Sequence, residues 1–148
     1  MNVAYFLTPR SEAGFICDES TLRQGLEKMK RSGYTALPVV TKENKYVGTV
    51  SEGDFLWYLM ENGDTETTPL RALERAAVRD LIRLDRNPPV RITADIQELV
   101  GRAMNQNFIP VVDDLGSFIG IVTRKDIIKH FAGNVGAEGV DSRKHGVS

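Results

Sequence analysis

Apolar residues in this chain fall into two textures: short unbroken runs, and stripes at helical spacing. Residues 36–40 (Ala-Leu-Pro-Val-Val) and 109–112 (Ile-Pro-Val-Val) are continuous apolar runs, each followed by a polar turn and a second run over 46–50 and 118–122. Runs of this kind predict strands buried on both faces. Ahead of the first run, Leu22, Leu26 and Met29 recur at helical spacing; ahead of the second, Ile96, Leu99, Val100 and Ala103 do the same. Thr21-x-x-Gln24 is a capping-box match, Asp95-x-x-Glu98 caps the later helix, and Gly33 stands where a helix C-terminus wants glycine. Gly25 inside its helix costs stability relative to alanine, which predicts a close packing contact there. Residues 15–17 and 90–92 predict brief strands. After each strand pair comes another helix, one with Phe55, Leu56, Leu59 and Met60 as its apolar face, the other over 123–131.

These elements form a repeat. Pro38, Gly48, Ser51 and Asp54 recur as Pro110, Gly120, Thr123 and Asp126, each 72 positions later. Four markers in step mean an internal duplication. The copies differ in one place: Thr21 to Pro38 is 17 steps but Asp95 to Pro110 only 15, leaving residues 104–107 as a tight join. The predicted boundaries are a first unit over 1–62, a connector over 63–78, a second unit over 79–132 and a flexible tail over 133–148. Within the connector, 64–68 is a polar hinge; Pro69 starts a helix carrying Leu70, Leu73, Ala76 and Ala77, which leads into 78–84 before Asn87-Pro88-Pro89 breaks the pattern. At the N-terminus, 3–7 is a short apolar run closed by Thr8-Pro9. Gly133-x-x-Gly136-x-x-Gly139 is not a phosphate loop, because its spacing is wrong and it follows a helix.

Composition narrows the function. With 148 residues, 19 basic and 20 acidic side chains and a net charge of −1, the chain has no electrostatic footprint for nucleic acid or an anionic membrane. No span approaches the roughly eighteen apolar residues of a membrane helix. The N-terminus lacks a basic leader, and the one cysteine, Cys17, cannot form an internal disulfide. A cytoplasmic protein is expected. Cys17 reads as core, and His130 and His145 have no partner at metal-ligand spacing, so no metal is expected.

The candidate chemistry sits in Ser51-x-x-Asp54 and Thr123-x-x-Asp126, a hydroxyl at a helix start with a carboxylate one turn in. Two readings are open. In one the pair is a local cap that complements the helix dipole. In the other the hydroxyl and exposed N–H groups hold a phosphate while the aspartate accepts ribose hydroxyls.

The pattern Pro-Val-Val, turn, Gly-x-Val-Ser/Thr-x-x-Asp, apolar helix closely resembles the CBS domain, and two in tandem resemble a Bateman module. The resemblance implies an α/β (α+β) fold: two units, each a small sheet flanked by helices, packed about a pseudo-two-fold axis. It also implies adenosine nucleotides in clefts that draw on both motifs. Site A would combine Gly14, Phe15, Ile16, Tyr34, Thr35, Ala36 and Pro38 with Thr123, Arg124, Lys125 and Asp126. Site B would combine Val90, Arg91, Ile92, Phe108 and Pro110 with Ser51, Glu52 and Asp54. Charge favours site A, where Arg124 and Lys125 stand beside the hydroxyl; site B has Glu52 in that place, only partly offset by Arg91. Tyr34, Phe15 and Phe108 read either as stacking platforms or as core aromatics.

Three functions follow. The first is a non-catalytic sensor of AMP, ADP, ATP or cyclic di-AMP that signals to a partner protein, with no cofactor required. Tyr34-Thr35-Ala36, Thr123-Arg124-Lys125 and the shortened second unit are similar to small stand-alone CBS proteins that sense cyclic di-AMP, although those need not keep the aspartate that stands here as Asp126. The second is a structural module with vestigial clefts, forming a homodimer through Phe55, Leu56, Leu59, Ile127, Ile128 and Phe131, with Trp57 as packing or as part of a subunit interface. The third, an enzyme using Asp54 and Asp126, lacks a nucleophile, base or metal cluster in the sequence, so catalysis is not expected.

Overall fold

A computed structural model of the chain describes residues 2–62, 69–83 and 86–136. In chain order the elements are α1 (Val3–Phe6), β1 (Thr8–Pro9), α2 (Arg10–Ala13), β2 (Ile16–Cys17), α3 (Leu22–Ser32), β3 (Ala36–Val40), β4 (Tyr46–Ser51) and α4 (Glu52–Asn62). After them come α5 (Pro69–Arg75), a 3-10 turn (Val78–Leu81), β5 (Val90–Arg91), α6 (Ile96–Ala103), β6 (Phe108–Val112), β7 (Phe118–Thr123) and α7 (Arg124–Gly136). The fold is mixed α/β with two small sheets, β2-β3-β4 and β1-β7-β6-β5.

The duplication extends to register. β3 and β4 pair antiparallel with Pro38 opposite Thr49, and β6 and β7 do so with Pro110 opposite Ile121. Each pair shifts register at the same place, between Val39 and Val40 and between Val111 and Val112. β2 runs parallel to β3 and β5 parallel to β6, so the strands carrying Pro-Val-Val are central and covered on both sides. Local chemistry starts the helices as the sequence predicts. Thr21 and Gln24 close a reciprocal capping box, Gly33 ends α3 with φ 78°, and Asp95 accepts from the Glu98 N–H. A methyl on Gly25 would lie 2.8 Å from Val78 Cγ2 and 3.3 Å from Phe55 Cζ, which is the close contact expected there.

The halves exchange their leading segments. Val3 and Phe6 belong to the core of the second half, with Leu99, Ile109 and Val122. Val78 belongs to the core of the first half with Leu22, Val50 and Phe55, and Leu81 and Ile82 pack against it. Thr8 pairs antiparallel with Ile121 in β7, and Arg83 forms an isolated bridge to Thr49 in β4. Gly48 and Gly120 lie where these segments cross. A methyl on Gly120 would run into the Thr8 carbonyl oxygen, with Pro9 Cα only 3.1 Å away, and one on Gly48 would meet Ile82 Cγ2. Chain order therefore divides the residues differently from the cores: Val3 and Phe6 pack on the later half, and Val78 on the earlier one.

Other expectations shift. The run at 3–7 is one helical turn ahead of a strand. α5 ends at Arg75 because Ala77 is extended and bridges to Thr21, which takes Ala76 and Ala77 out of the helix. On α4 only Phe55 of the expected apolar face is fully buried, while Leu56 and Met60 are exposed. Val100 on α6 is also at the surface. α7 continues through Gly136, so the first residues assigned to a tail are helical. The predicted hinge at 64–68 and the tail beyond 136 lie outside the described residues. A third apolar cluster, Ala13, Val40, Phe118 and Ile121 with Phe15, Tyr46 and Phe108 against it, joins the two halves.

Candidate functional site

Because each hairpin runs straight into a helix, the starts of α4 and α7 are fixed against the strands. The Glu52 N–H donates to Thr35 O at 2.9 Å, and the Arg124 N–H donates to Asn107 O at 2.8 Å. Both expected sites open on one cleft of about 590 Å³. The first half contributes Tyr34, Thr35, Ala36, Pro38, Ser51 and Glu52, and the second contributes Phe108 and Thr123. Sequence reading missed Arg86 and Asn87, which it assigned to the second unit but which lie in the connector between the cores, after the 3-10 turn and ahead of β5, and it missed Asn105, Gln106 and Asn107 from the shortened join. The basic pair Arg83 and Arg86 ahead of Asn87-Pro88 was the available signal for the connector.

The remaining expected residues are placed elsewhere. Ile16 and Val90 are buried in the two cores, and Pro110 is buried in β6. Ile92 packs against the second core. Gly14, at φ 81°, packs beside Leu37. Phe15 packs edge-on to Phe118 at 6.1 Å, with the Arg10 guanidinium 4.2 Å and the Lys28 ammonium 4.6 Å from its ring centre. Arg91 is exposed and pairs with Asp114 at 3.6 Å.

The two motif ends differ sharply. Asp54 Oδ2 accepts from the Ser51 N–H at 2.8 Å and from Arg86 Nη1 at 2.5 Å, while Oδ1 accepts from Arg86 Nη2 at 3.2 Å. Arg83 Nε lies 3.7 Å from the same carboxylate, whose side chain is only 5% exposed. Arg86 Nη1 also donates to Ser51 Oγ at 3.1 Å. In the second half Thr123 Oγ1 accepts from the Asp126 N–H at 3.0 Å, a local cap. Among the described residues no hydrogen bond or ion pair reaches the Asp126 carboxylate, which opens on a different groove, with Thr8 and Lys129, and is not among the residues lining the cleft.

Charge is therefore distributed differently from the expectation that favoured site A. Arg124 Nε donates to Ala103 O at 2.7 Å, so its guanidinium serves the end of α6 and the side chain lines an apolar groove with Met104 and Phe131. Lys125 is exposed beside Thr123, and the cation lining the cleft is Arg86, on the Ser51 side. The connector carrying Arg86 is pinned from both halves. The Tyr46 hydroxyl donates to Asn87 O at 2.8 Å, and Asn87 Nδ2 donates to Phe108 O at 2.9 Å. Burial pushes the Tyr46 hydroxyl pKa up to about 12, its contact with Thr49 opposing the rise only in part. Among the described residues no group of His, Cys, Asp and Glu is arranged to hold a metal, and no helix is long and apolar enough to cross a membrane.

Known proteins resemble both the sequence and the fold. An uncharacterised protein of Methanocaldococcus jannaschii is 30% identical over 125 residues, which is 75% of this chain and 41% of that protein. The chain spans less than half the length of the curated relatives it matches. Solved structures share the fold, among them two nucleotide complexes. CbpB in complex with cyclic di-AMP superposes with TM-score 0.83 at 23% identity, over 93% of this chain and 89% of that one. CBSX2 in complex with AMP gives TM-score 0.72 at 24% identity, over 90% and 98%. The sequence pattern of the CBS domain matches residues 9–61 and again 78–133, one match in each half of the duplication. The chain belongs to the CBS domain family, as a tandem pair.

Proposed function

We propose that the protein binds an adenine nucleotide in the cleft between its two CBS motifs and signals the bound state to a partner protein, without chemistry of its own. The observation that carries this reading is a cleft of about 590 Å³ lined from both halves, a size suited to a nucleotide. Tyr34, half exposed at its wall, offers a ring for a base, with Ala36 and Pro38 beside it. Thr123 and Lys125 at the start of α7 offer a hydroxyl, a cation and the positive helix end for phosphate. Asp126, unpaired among the described residues, lines the groove with Thr8 and Lys129 and not the cleft itself, and is assigned to sugar hydroxyls that extend beyond the cleft. The fold relatives CbpB and CBSX2, crystallised with cyclic di-AMP and AMP, support this ligand class. Because the cleft joins both halves, a mononucleotide and a dinucleotide are both candidates.

Titration calorimetry with AMP, ADP, ATP and cyclic di-AMP tests the reading; no heat from any of them at millimolar concentration would end it. Tyr34→Ala should weaken the bound nucleotide by about three- to tenfold, the loss of one aromatic contact. A second reading, a dimerising module with vestigial clefts, is favoured by Trp57 and Met60 on α4, 57% and 65% exposed on the same helix as Leu56. A melting temperature that rises with protein concentration and ignores every nucleotide would select it.

A further inference from the structure

Ser51 and Asp54 are the first half's copies of the hydroxyl and carboxylate that the nucleotide reading, on which this inference rests, assigns to phosphate and sugar. Both are already taken by one side chain. The Arg86 guanidinium spans the Asp54 carboxylate with two bonds, and its Nη1 also reaches Ser51 Oγ. With the Ser51 N–H also on Oδ2 and Arg83 Nε 3.7 Å from Oδ1, at most one acceptor position on Asp54 is left, too few for both hydroxyls of a ribose diol. Arg86, not Asp54, lines the cleft, so it lies between the carboxylate and any ligand.

The plug is held in place. Asn87, the next residue, sits at φ 52° with its amide bonded to Phe108 O and its carbonyl to the Tyr46 hydroxyl. Asn87 is thus tied to the second half by its side chain and to the first by its backbone carbonyl. A neutral sugar offers two hydroxyls in place of a bidentate charged pair, which is a poor exchange for a carboxylate 5% exposed. The second half has no counterpart: counting from the equivalent bridge residues Thr8 and Arg83, Arg86 corresponds to Ser11, an exposed residue without a cation.

We propose that Arg86 is a built-in occupant of the Ser51–Asp54 end of the cleft, closing it to nucleotide and limiting each chain to one bound AMP. The test is the stoichiometry of AMP on the full chain, by equilibrium dialysis of the wild type, Arg86→Ala and Arg86→Ala with Asp54→Asn. The expected result is one AMP for the wild type, two for Arg86→Ala, and one again when Asp54→Asn removes the exposed carboxylate. Arg86→Gln keeps a hydrogen bond to Asp54 while removing the charged fork, and should also bind two if Arg86→Ala fails to fold. Two AMP on the wild type overturns the plug and leaves the nucleotide reading standing. One weakened AMP on Arg86→Ala and Arg86→Gln also overturns it, since Arg86 would then be a ligand contact. No AMP on the wild type but one on Arg86→Ala supports the plug and sinks the assignment to Tyr34 and Thr123. No binding by any variant overturns both.

Discussion

Ser51–Asp54 and Thr123–Asp126 are the same motif on the same hairpin-to-helix turn, and yet the two carboxylates live in different worlds. Asp54 is nearly buried and satisfied by two arginines and a backbone N–H, whereas Asp126 opens on a groove and meets no donor among the described residues. Nothing within the motif makes this difference. It comes from the segment that crosses over each half. The segment after the 3-10 turn brings Arg83 and Arg86 to the first half, and the equivalent N-terminal segment brings Thr8 and Ser11 to the second. A duplicated motif therefore does not guarantee duplicated chemistry, because the partner segments are free to diverge while both cores keep their packing.

The largest expected effect tests those crossings. Gly120 faces the backbone of Thr8 and Pro9, which cannot move without breaking the β1–β7 pairing, whereas Gly48 faces the side chain of Ile82. Gly120→Ala should cost about 3 kcal/mol and Gly48→Ala about 2 kcal/mol, since both glycines hold a positive φ but the Ile82 side chain can give way where the Thr8 carbonyl cannot. Urea denaturation of both variants checks this; equal losses would mean the two crossings are not differently constrained.

The next effect separates the carboxylates. Asp54→Ala strands Arg86 in a partly buried place. Losing one partner of a buried pair costs about 3–5 kcal/mol, and with Arg86 26% exposed we expect about 2 kcal/mol. Asp126→Ala should shift stability by less than about 0.5 kcal/mol, as surface changes do. It should instead weaken nucleotide binding if Asp126 meets the sugar. Equal destabilisation by both substitutions in a urea titration would erase the contrast.

How much of this was legible in the sequence follows from the range of each interaction. The strands, the capping box at Thr21 and Gln24 and the tight contact at Gly25 were readable, because apolar runs, side-chain caps and a helical glycine carry their cause within a few residues. The pairing of Arg86 with Asp54 was not, since it joins residues 32 apart through a connector whose path the local sequence does not dictate. Arg124 was misplaced for the same reason: only the packing of α6 beside α7 offers it the Ala103 carbonyl. Thr8–Pro9 is too short to show a strand period. Gly48 and Gly120, each in a strand, did carry the signal of a crossing backbone, although not the identity of what crosses.

The smallest effect makes the two halves more alike. Tyr46 and Phe118 are equivalent by the 72-residue offset, and their rings stack with centroids 6.3 Å apart. Only the tyrosine carries a hydroxyl, bonded to Thr49 Oγ1 and Asn87 O at 2.8 Å each. Tyr46→Phe thus removes the pin on the connector and leaves a buried threonine short of a partner. It should cost about 1–2 kcal/mol at neutral pH. The folded protein holds this hydroxyl's pKa at about 12, above the ordinary 10, so its protonated form is what folding favours. The stabilisation is complete below pH 10 and drains away as pH rises from 10 towards 12. Phenylalanine has nothing to ionise, so the advantage of the wild type over Tyr46→Phe should be constant up to pH 10 and then shrink. Paired urea titrations at pH 7, 10 and 11.5 measure it; a gap that does not narrow between the last two would mean that the hydroxyl is not buried against the connector.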